Sequence, residues 1–274
     1  MTSAADDLAF QALARRIAEG GGLSIEAYKA KCIRRRIAVR MRACGVHTYA
    51  DYQSLLDRTP TEYEHLRDAL TINVTRFFRN VETWERLAAG FLPPLWEPPT
   101  GALRIWSAGC SSGEEAYSLA ILAAELAAAR GHPEALDQVQ VDATDVDRDS
   151  LRRAEAARYR SEALMETPAA LRARYFEPVG EEYQVVDRIR RRVRVRALDL
   201  SRERPPVRAY DLIVCRNVVI YFDRPMQERL FRSFVQALRP GGLLVLGKVE
   251  TLFGAAREQL TLLDARERIY RRPA

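Results

Sequence analysis

The sequence is poor in the residues that build metal sites and hydrolytic triads. Among its 274 residues, histidine occurs only at His47, His65 and His132, and none of the four cysteines lies in a CxxC pair. A zinc site or a Ser–His–Asp triad is therefore not predicted, and no metal is expected. Cysteines without a pairing or metal-binding pattern are typical of a reducing compartment, which favours a cytoplasmic protein.

Long hydrophobic runs are missing as well. No apolar stretch approaches the roughly 20 residues that a membrane span needs, and the N-terminus has no basic region followed by an apolar core. With 47% hydrophobic and 29% charged residues, the composition is that of a globular protein with a sizeable core. We therefore expect no membrane insertion, and nothing in the composition requires more than a monomer.

Acidic residues are missing between Glu26 and Asp51, whereas the same stretch is rich in bases. The basic residues are Lys29, Lys31, Arg34, Arg35, Arg36, Arg40 and Arg42. Ile33, Ile37 and Met41 recur at helical spacing, so the pattern predicts an amphipathic helix. Its bases are either a solvated face or a surface for an anionic partner, and so many uncompensated charges favour the partner surface.

Glycine and proline divide the chain. The residues before position 89 show helical periodicity, and the stretch GFLPPLWEPPTG that begins at Gly90 is rich in breakers. We predict a helical, basic docking domain over residues 1–88, a linker over 89–100 and a second domain over 101–274.

The second domain alternates strands and helices. Strands are predicted at Leu103–Ser107, Val139–Thr144, Tyr210–Cys215 and Leu243–Gly247, with helices between them. This alternation is typical of a doubly wound parallel sheet, in which ligands bind at the carboxyl ends of the strands. Residues 168–198 interrupt the pattern and predict a small inserted antiparallel β-subdomain. Its strand near Val193 has arginines on alternate positions.

The stretch Leu103–Leu126 reads as a buried strand, a glycine-containing loop and a helix. Such a unit cradles nucleotide-like cofactors, and Asp145 at the end of the next strand is placed to accept ribose hydroxyls. The loop from Gly109 to Gly113 lacks the GxGxxG spacing that a dinucleotide requires. The Pro-Gly-Gly turn before the last long strand is similar to that of class I methyltransferases.

Four motifs together resemble one known family. They are TINVTRFFR, WSAGCSSGEEAYS, ATDVD and CRNVVIYF, followed at the chain end by ERIYRR. The set closely resembles the CheR family of chemotaxis receptor methyltransferases. This implies an α/β fold, the class I S-adenosylmethionine-dependent methyltransferase domain, whose mostly parallel sheet ends in an antiparallel hairpin. It also implies an N-terminal all-helical domain and an inserted β-subdomain.

The resemblance further implies roles for individual residues, with S-adenosylmethionine as cofactor and S-adenosylhomocysteine as product. Cofactor contacts are expected from Asn73, Thr75, Arg79, Glu115, Asp145, Asp199, Leu200, Arg216 and Asn217. Arg79 and Tyr221 stand where the family has its reacting centre, and they are the predicted catalytic residues. Two departures from the family pattern are Ala116, in place of proline, and GKVE at the end of the last long strand, in place of GHSE. The second puts only peripheral substrate contacts in doubt.

The expected partner is the chemoreceptor cytoplasmic domain, with recruitment to receptor arrays in the membrane. Its methylation helices are acidic, so Arg35, Arg36, Arg40 and Arg42 are predicted to dock them. Whether the β-subdomain also binds a receptor tail peptide by strand addition stays open, as does the choice between taxis and another chemosensory output.

The implied reaction forms glutamate methyl esters. It needs no histidine as a base, so the scarcity of histidine in the sequence is consistent with it. A glutamate side chain, with an ordinary pKa near 4.3, is already a nucleophilic carboxylate at neutral pH. No proton must be removed, so the enzyme supplies alignment. We expect Arg79 to orient a carboxylate without neutralising it fully. Tyr221 is also expected to orient, since a phenol with a pKa of about 10 is a poor candidate for a base.

Two other functions compete with this prediction. A nucleic-acid methyltransferase would explain the net charge of +6, but the Asp/Asn/Ser-Pro-Pro-Tyr/Phe motif is missing after the third predicted strand. A non-catalytic adaptor that senses S-adenosylmethionine or S-adenosylhomocysteine would keep the fold without the reaction. Intact Arg79, Asn217 and Tyr221 favour an enzyme over the adaptor.

Overall fold

The computed structural model describes residues 4–21, 25–70, 75–97, 101–207 and 209–274. The chain forms two compact units. The first comprises Met1–Ile72 and Tyr221–Gln227, and the second comprises Asn73–Ile220 and Glu228–Ala274. Among the described residues, no helix is both long and apolar enough to cross a bilayer.

The first unit is helical, as its periodicity predicts. Its helices are α1 (Ala4–Gly21), α2 (Ala30–Ala43), α3 (Tyr49–Arg58) and α4 (Pro60–Leu70). Helix α3 is capped by Thr48, whose Oγ1 accepts a hydrogen bond from the backbone N–H of Asp51. The apolar stripe of α2 is buried, with Ile33, Ile37 and Met41 facing the core. This helical unit will be called the docking unit.

A short segment from the middle of the chain completes the docking unit. Tyr221–Gln227 belongs to it although these residues follow a strand of the other unit. Tyr28 and Phe222 form an isolated antiparallel bridge, and the backbone N–H of Lys29 donates to the carbonyl of Tyr221 at 2.8 Å. The docking unit is therefore built from two separate stretches of sequence.

The second unit contains a seven-stranded sheet and will be called the sheet unit. The strands of the described residues are β1 (Leu103–Ala108), β2 (Val139–Asp145), β3 (Arg158–Tyr159), β4 (Phe176–Val179), β5 (Glu182–Val185), β6 (Val193–Ala197), β7 (Tyr210–Cys215), β8 (Leu238–Leu246), β9 (Thr261–Asp264) and β10 (Ile269–Arg271). The main sheet has the order β6-β2-β1-β7-β8-β10-β9. Its first five strands are parallel, and β10 is antiparallel to both β8 and β9. The predicted doubly wound sheet with a terminal antiparallel hairpin is confirmed.

The remaining helices precede β1 or connect these strands. They are α5 (Val81–Arg86), α6 (Leu92–Leu95), α7 (Glu114–Ala129), α8 (Arg148–Ala156), α9 (Ala169–Tyr175), α10 (Asp187–Arg190), α11 (Arg224–Ala237) and α12 (Ala255–Gln259). Helix α7 is buried along most of its length, which explains its high content of alanine and leucine.

A small antiparallel sheet is also present, with the order β3-β5-β4. The prediction that the arginine-rich strand belongs to this small sheet is wrong. Strand β6 pairs in parallel with β2, from Val193 opposite Val141 to Ala197 opposite Asp145. Alternating polar and apolar residues indicate that one face of a strand is exposed. An edge strand of the main sheet is exposed on one face just as a strand of a small separate sheet is.

The proline-rich stretch forms structure at its start. Leu87–Phe91 continues α5 as a single π-helical turn and leads into α6, with Leu87 and Phe91 buried. Proline is tolerated here because it occupies the first turn of α6, where backbone N–H groups have no intrahelical partner. The compact units divide near residue 72, upstream of the linker predicted at residues 89–100.

Candidate active site

The loop between β1 and α7 is shaped by two glycines with positive φ. Gly109 has φ +84° and Gly113 has φ +95°, a region that side chains other than glycine rarely adopt. The N–H groups of Gly109 and Cys110 both donate to the carbonyl of Thr144, at 2.8 and 2.9 Å. A Cβ on Gly109 would lie 2.4 Å from Cγ2 of Val218. The loop therefore packs tightly against β2 and against the segment that follows β7.

Asp145 lies at the carboxyl end of β2 and is held by backbone groups. Its carboxylate accepts hydrogen bonds from the N–H of Ser111 at 2.8 Å and of Asp147 at 3.0 Å. Burial raises the pKa of Asp145, and these N–H groups oppose the shift. The orientation of the carboxylate is thus fixed beside the glycine loop.

Asp199 is brought next to Asp145 by the chain that leaves β6. The N–H of Leu198 donates to the carbonyl of Asp145 at 2.9 Å. Oδ1 of Asp199 accepts from the N–H and hydroxyl of Ser201, at 2.8 and 2.6 Å. Its buried Oδ2 accepts no hydrogen bond within the described part of the chain, although it forms an ion pair with Nε of Arg202 at 3.8 Å. Leu200 follows directly and is half-buried.

These groups fit an adenosine-type cofactor. A buried carboxylate oxygen without a donor is costly unless a ligand supplies one, and an exocyclic amine is such a donor. Carboxylates are also the usual acceptors for ribose hydroxyls. Asp145 and Asp199 lie at the edge where open α/β sheets bind ligands, and their surroundings fit the predicted cofactor; their contact with it stays a prediction.

Glu115 and Arg216 form a buried pair behind the loop. Ser107 Oγ donates to Oε1 of Glu115 at 2.9 Å, and Nη1 of Arg216 lies 3.7 Å from Oε2. Burial raises the pKa of Glu115, and the charge of Arg216 opposes this shift. Burial in turn lowers the pKa of Arg216, while Glu115 acts to raise it. Each charge makes the burial of the other tolerable.

Arg216 also fixes the Arg79–Asn80 segment of the TINVTRFFRN stretch. Its Nη2 donates to the carbonyl of Arg79 and to Oδ1 of Asn80, both at 2.9 Å. Its guanidinium carbon lies 5.4 Å from the ring centre of Trp84. The Arg216 side chain is only 3% exposed and joins Glu115 to the backbone of Arg79. Its predicted contact with the cofactor stays a prediction.

The two phenylalanines of the motif anchor it in the sheet unit. Phe77 meets Tyr159 and Phe176 edge-on, each ring centre at 4.8 Å. The N–H of Phe78 donates to Ser118 Oγ at 3.1 Å. Arg79 follows and is half-buried, with its charge close enough to act on the pKa of Glu115.

The predicted site residues thus fall into three groups. Arg79, Glu115, Asp145, Asp199, Leu200, Arg216 and Asn217 belong to the sheet unit, as does the half-buried Thr75. Asn73 lies outside the described residues. Tyr221 belongs to the docking unit, at the end of the 3-10 turn Val219–Tyr221.

The four predicted docking arginines differ in their surroundings. Arg40 donates to both carboxylate oxygens of the buried Glu62, at 3.0 and 2.5 Å. Arg36 donates to the carbonyls of Ala69 and Leu70. Arg35 and Arg42 are exposed and form no ion pair with the described residues, so the docking prediction now concerns mainly these two.

The sequence did not single out two buried glutamates at the site. Glu114 is 4% exposed and accepts a hydrogen bond from Ser112 Oγ; burial raises its pKa to about 7. Glu250 is also buried and accepts several backbone N–H groups. A signal was available for Glu250, because it follows β8 at the same carboxyl edge as Asp145.

Comparison with known proteins identifies the two parts of the chain. Residues 73–269 match the model of the CheR methyltransferase S-adenosylmethionine-binding domain, and residues 8–71 match that of the CheR methyltransferase all-alpha domain. A chemotaxis protein methyltransferase of Listeria monocytogenes is 34% identical over 243 residues, covering 89% of this chain and 90% of the relative. One from Klebsiella aerogenes is 34% identical over 259 residues, covering 92% and 86%. Among solved structures, the N-methyltransferase NodS of Bradyrhizobium japonicum aligns over 74% of this chain and 90% of its own, with TM-score 0.41 and 18% identity.

Proposed function

Because this chain belongs to the CheR methyltransferase family, we propose that it methylates glutamate side chains on the cytoplasmic helices of chemoreceptors. The chain is an S-adenosylmethionine-dependent methyltransferase. The proposed acceptor is the glutamate carboxylate, and the product is the glutamate 5-O-methyl ester. We place the reaction in the cytoplasm, at receptor arrays.

The observation that carries the proposal is the pair of oriented carboxylates, Asp145 and Asp199, beside the glycine loop. Asp145 is held by backbone N–H groups, and Asp199 presents a buried oxygen that accepts no hydrogen bond from the described residues. S-adenosylmethionine, when bound, supplies an electrophilic methyl group on a sulfonium sulfur. Asp145 and Asp199 would hold this cofactor, and the acceptor carboxylate would receive the methyl group.

The residues of this chain contribute binding and orientation. No proton has to be moved, which agrees with a site built from carboxylates and arginine. We propose that Arg79, held by its carbonyl through Arg216, orients a carboxylate. Tyr221, in the docking unit, is the second proposed reacting-centre residue.

The docking surface is proposed on the exposed face of α2. Lys31, Arg35 and Arg42 are exposed there, together with Val39, which is 49% exposed. A basic row around an apolar side chain suits an acidic amphipathic helix, which is the form of the methylation segments. Arg36 and Arg40 instead form hydrogen bonds with residues of α4 and hold α2 against it.

A tail peptide is a further proposed partner. In the small sheet, β4 is an edge strand and Val179 on it is 41% exposed. Edge strands accept extended peptides by strand addition. A pull-down with the C-terminal peptide of a receptor tests this, and absence of capture by the intact protein would contradict it.

The central experiment incubates the protein with methyl-labelled S-adenosylmethionine and receptor cytoplasmic fragments. Label that is released as methanol by mild base marks a carboxyl ester. Receptor fragments with glutamine at the methylation positions are the matched control and should accept no label. Label in nucleic acid would favour the rival methyltransferase. Cofactor binding without any transfer would favour the non-catalytic adaptor.

A further inference from the structure

Glu250 is a buried carboxylate that joins two loops at the carboxyl edge of the sheet. It is 3% exposed. Its Oε2 accepts from the N–H of Gly247 at 2.6 Å and of Asn217 at 3.0 Å. Its Oε1 accepts from the N–H of Val218 at 2.9 Å and of Ile220 at 3.3 Å. One side chain thus satisfies four backbone donors from the segments after β7 and β8.

Only an ionised carboxylate can accept all four of these hydrogen bonds. A carboxylate has two oxygens and acts as acceptor only, whereas an amide of the same shape replaces one oxygen with a donor. Burial raises the pKa of Glu250, and the hydrogen bonds from the backbone oppose the shift. Hydrogen bonds to a charged acceptor are stronger than neutral ones. The two loops are therefore held by one ionised group.

The loop that Glu250 holds has an unfavourable backbone conformation. Asn217 has φ +60°, which costs free energy for a residue other than glycine and persists only where the surroundings impose it. Glu250 binds the N–H of this residue and of the next one. The fit is close, since a Cβ on Gly247 would lie 2.7 Å from Oε2 of Glu250.

The same loop carries two contacts that shape the cofactor cradle. Arg216, next to Asn217, reaches Glu115 and the carbonyl of Arg79. Val218 lies directly against Gly109 of the glycine loop. A displacement of the loop would therefore move groups on both sides of the cradle.

We propose that Glu250 is a positioning residue for cofactor binding, which sets the loop after β7 and, through it, Arg216 and the glycine loop. Glu250 need not touch the cofactor. The proposal concerns the cofactor and is independent of the methyl acceptor, so it can fail or hold regardless of the glutamate substrate.

The test measures binding of S-adenosylhomocysteine by calorimetry to the full chain and to Glu250→Gln. The variant should bind about tenfold more weakly or worse, with a stoichiometry near one. Glu250→Asp, which keeps the charge but shortens the reach, should be intermediate. Glu258→Gln, an exposed glutamate of α12, is the matched control and should bind normally. Unchanged affinity in Glu250→Gln, or reduced stoichiometry at unchanged affinity, overturns the proposal.

A second measurement uses the unaltered protein and does not depend on a variant that folds. Hydrogen–deuterium exchange is followed at the amides of Asn217 and Val218, without and with S-adenosylhomocysteine. If Glu250 sets the loop in advance, both amides are protected before the ligand is added. Free exchange at both amides in the unliganded protein overturns the proposal.

Discussion

The guanidinium carbon of Arg36 lies 5.3 Å from the centre of the Tyr221 ring. Burial lowers the pKa of Arg36, and the neighbouring Tyr221 acts to raise it. A residue predicted to dock the substrate and a residue predicted at the reacting centre therefore share one contact inside the docking unit. The basic helix and the segment that carries Tyr221 are coupled.

Replacing Tyr221 separates its ring from its hydroxyl. Tyr221→Phe keeps the ring beside Arg36. If the hydroxyl orients the acceptor, methyl transfer should slow about tenfold or more, which corresponds to about 1.4 kcal/mol in the barrier. Tyr221→Ala should in addition destabilise the docking unit. Urea unfolding and initial transfer rates distinguish these effects; a Phe variant with the normal rate excludes a role for the hydroxyl.

Arg35 and Arg36 are adjacent in sequence and should respond oppositely. Arg36→Ala removes donors to the carbonyls of Ala69 and Leu70, and should lower the free energy of unfolding by about 1–3 kcal/mol. Arg35→Ala should leave stability within about 0.5 kcal/mol and raise the KM for the receptor fragment. The affinity for S-adenosylhomocysteine should be normal in the Arg35 variant. An Arg35 variant with normal KM contradicts the proposed docking face.

Gly109 should not tolerate a side chain. Gly109→Ala would place its Cβ 2.4 Å from Val218 and would force a φ of +84° on alanine. We expect binding of S-adenosylhomocysteine to fall by more than about tenfold. Gly180→Ala, at another positive φ but with open space around it, is the control and should bind normally. Partial recovery in the double variant Gly109→Ala, Val218→Ala would assign the loss to this contact.

Glu114 should make the stability of the sheet unit fall as the pH rises. Its pKa is raised by burial from the ordinary 4.5 to about 7, so the folded state favours the neutral acid. The contribution is fully present below pH 4.5 and is lost as the pH rises through about 7. Wild type should thus lose on the order of 1–3 kcal/mol relative to Glu114→Gln across this range. Urea unfolding at several pH values measures this; parallel curves for the two proteins would contradict it.

Glu62 should give the docking unit the opposite response. Burial acts to raise its pKa, but hydrogen bonds from Arg40 and Tyr52 prevail and lower it to about 2. Its contribution is therefore present above pH 4.5 and is lost as the pH falls toward 2. Glu62→Gln should destabilise the unit at neutral pH by about 1–3 kcal/mol and reduce its sensitivity to acid. Helical circular dichroism during acid titration is the measurement, with the exposed Glu64→Gln as control.

Much of the sheet unit follows from local patterns. The strands, the glycine loop and Asp145 were predictable because the residues after parallel strands must meet at one edge. Strand β6 was misassigned since alternation identifies its exposed face but does not identify the neighbouring strand. Pairing with β2 is a long-range property that no short window of sequence contains.

The roles of individual charged residues were less predictable. Arg36 and Arg40 look like their neighbour Arg35 in sequence, and their partners Leu70 and Glu62 become visible only when α2 packs on α4. Glu250 was overlooked for the same reason. Its four donors come from two loops, and backbone N–H groups leave no trace in a sequence.

The two-part construction of the docking unit bears on how receptor preference could be transferred between relatives. A chimera that exchanges only the residues before position 73 retains the host's Tyr221 and Phe222, which would then face a foreign Tyr28 and α2. Such a chimera exchanges only one of the two stretches that pack together in the docking unit. Transfer of the proposed docking function therefore requires coordinated change at two distant places in the sequence.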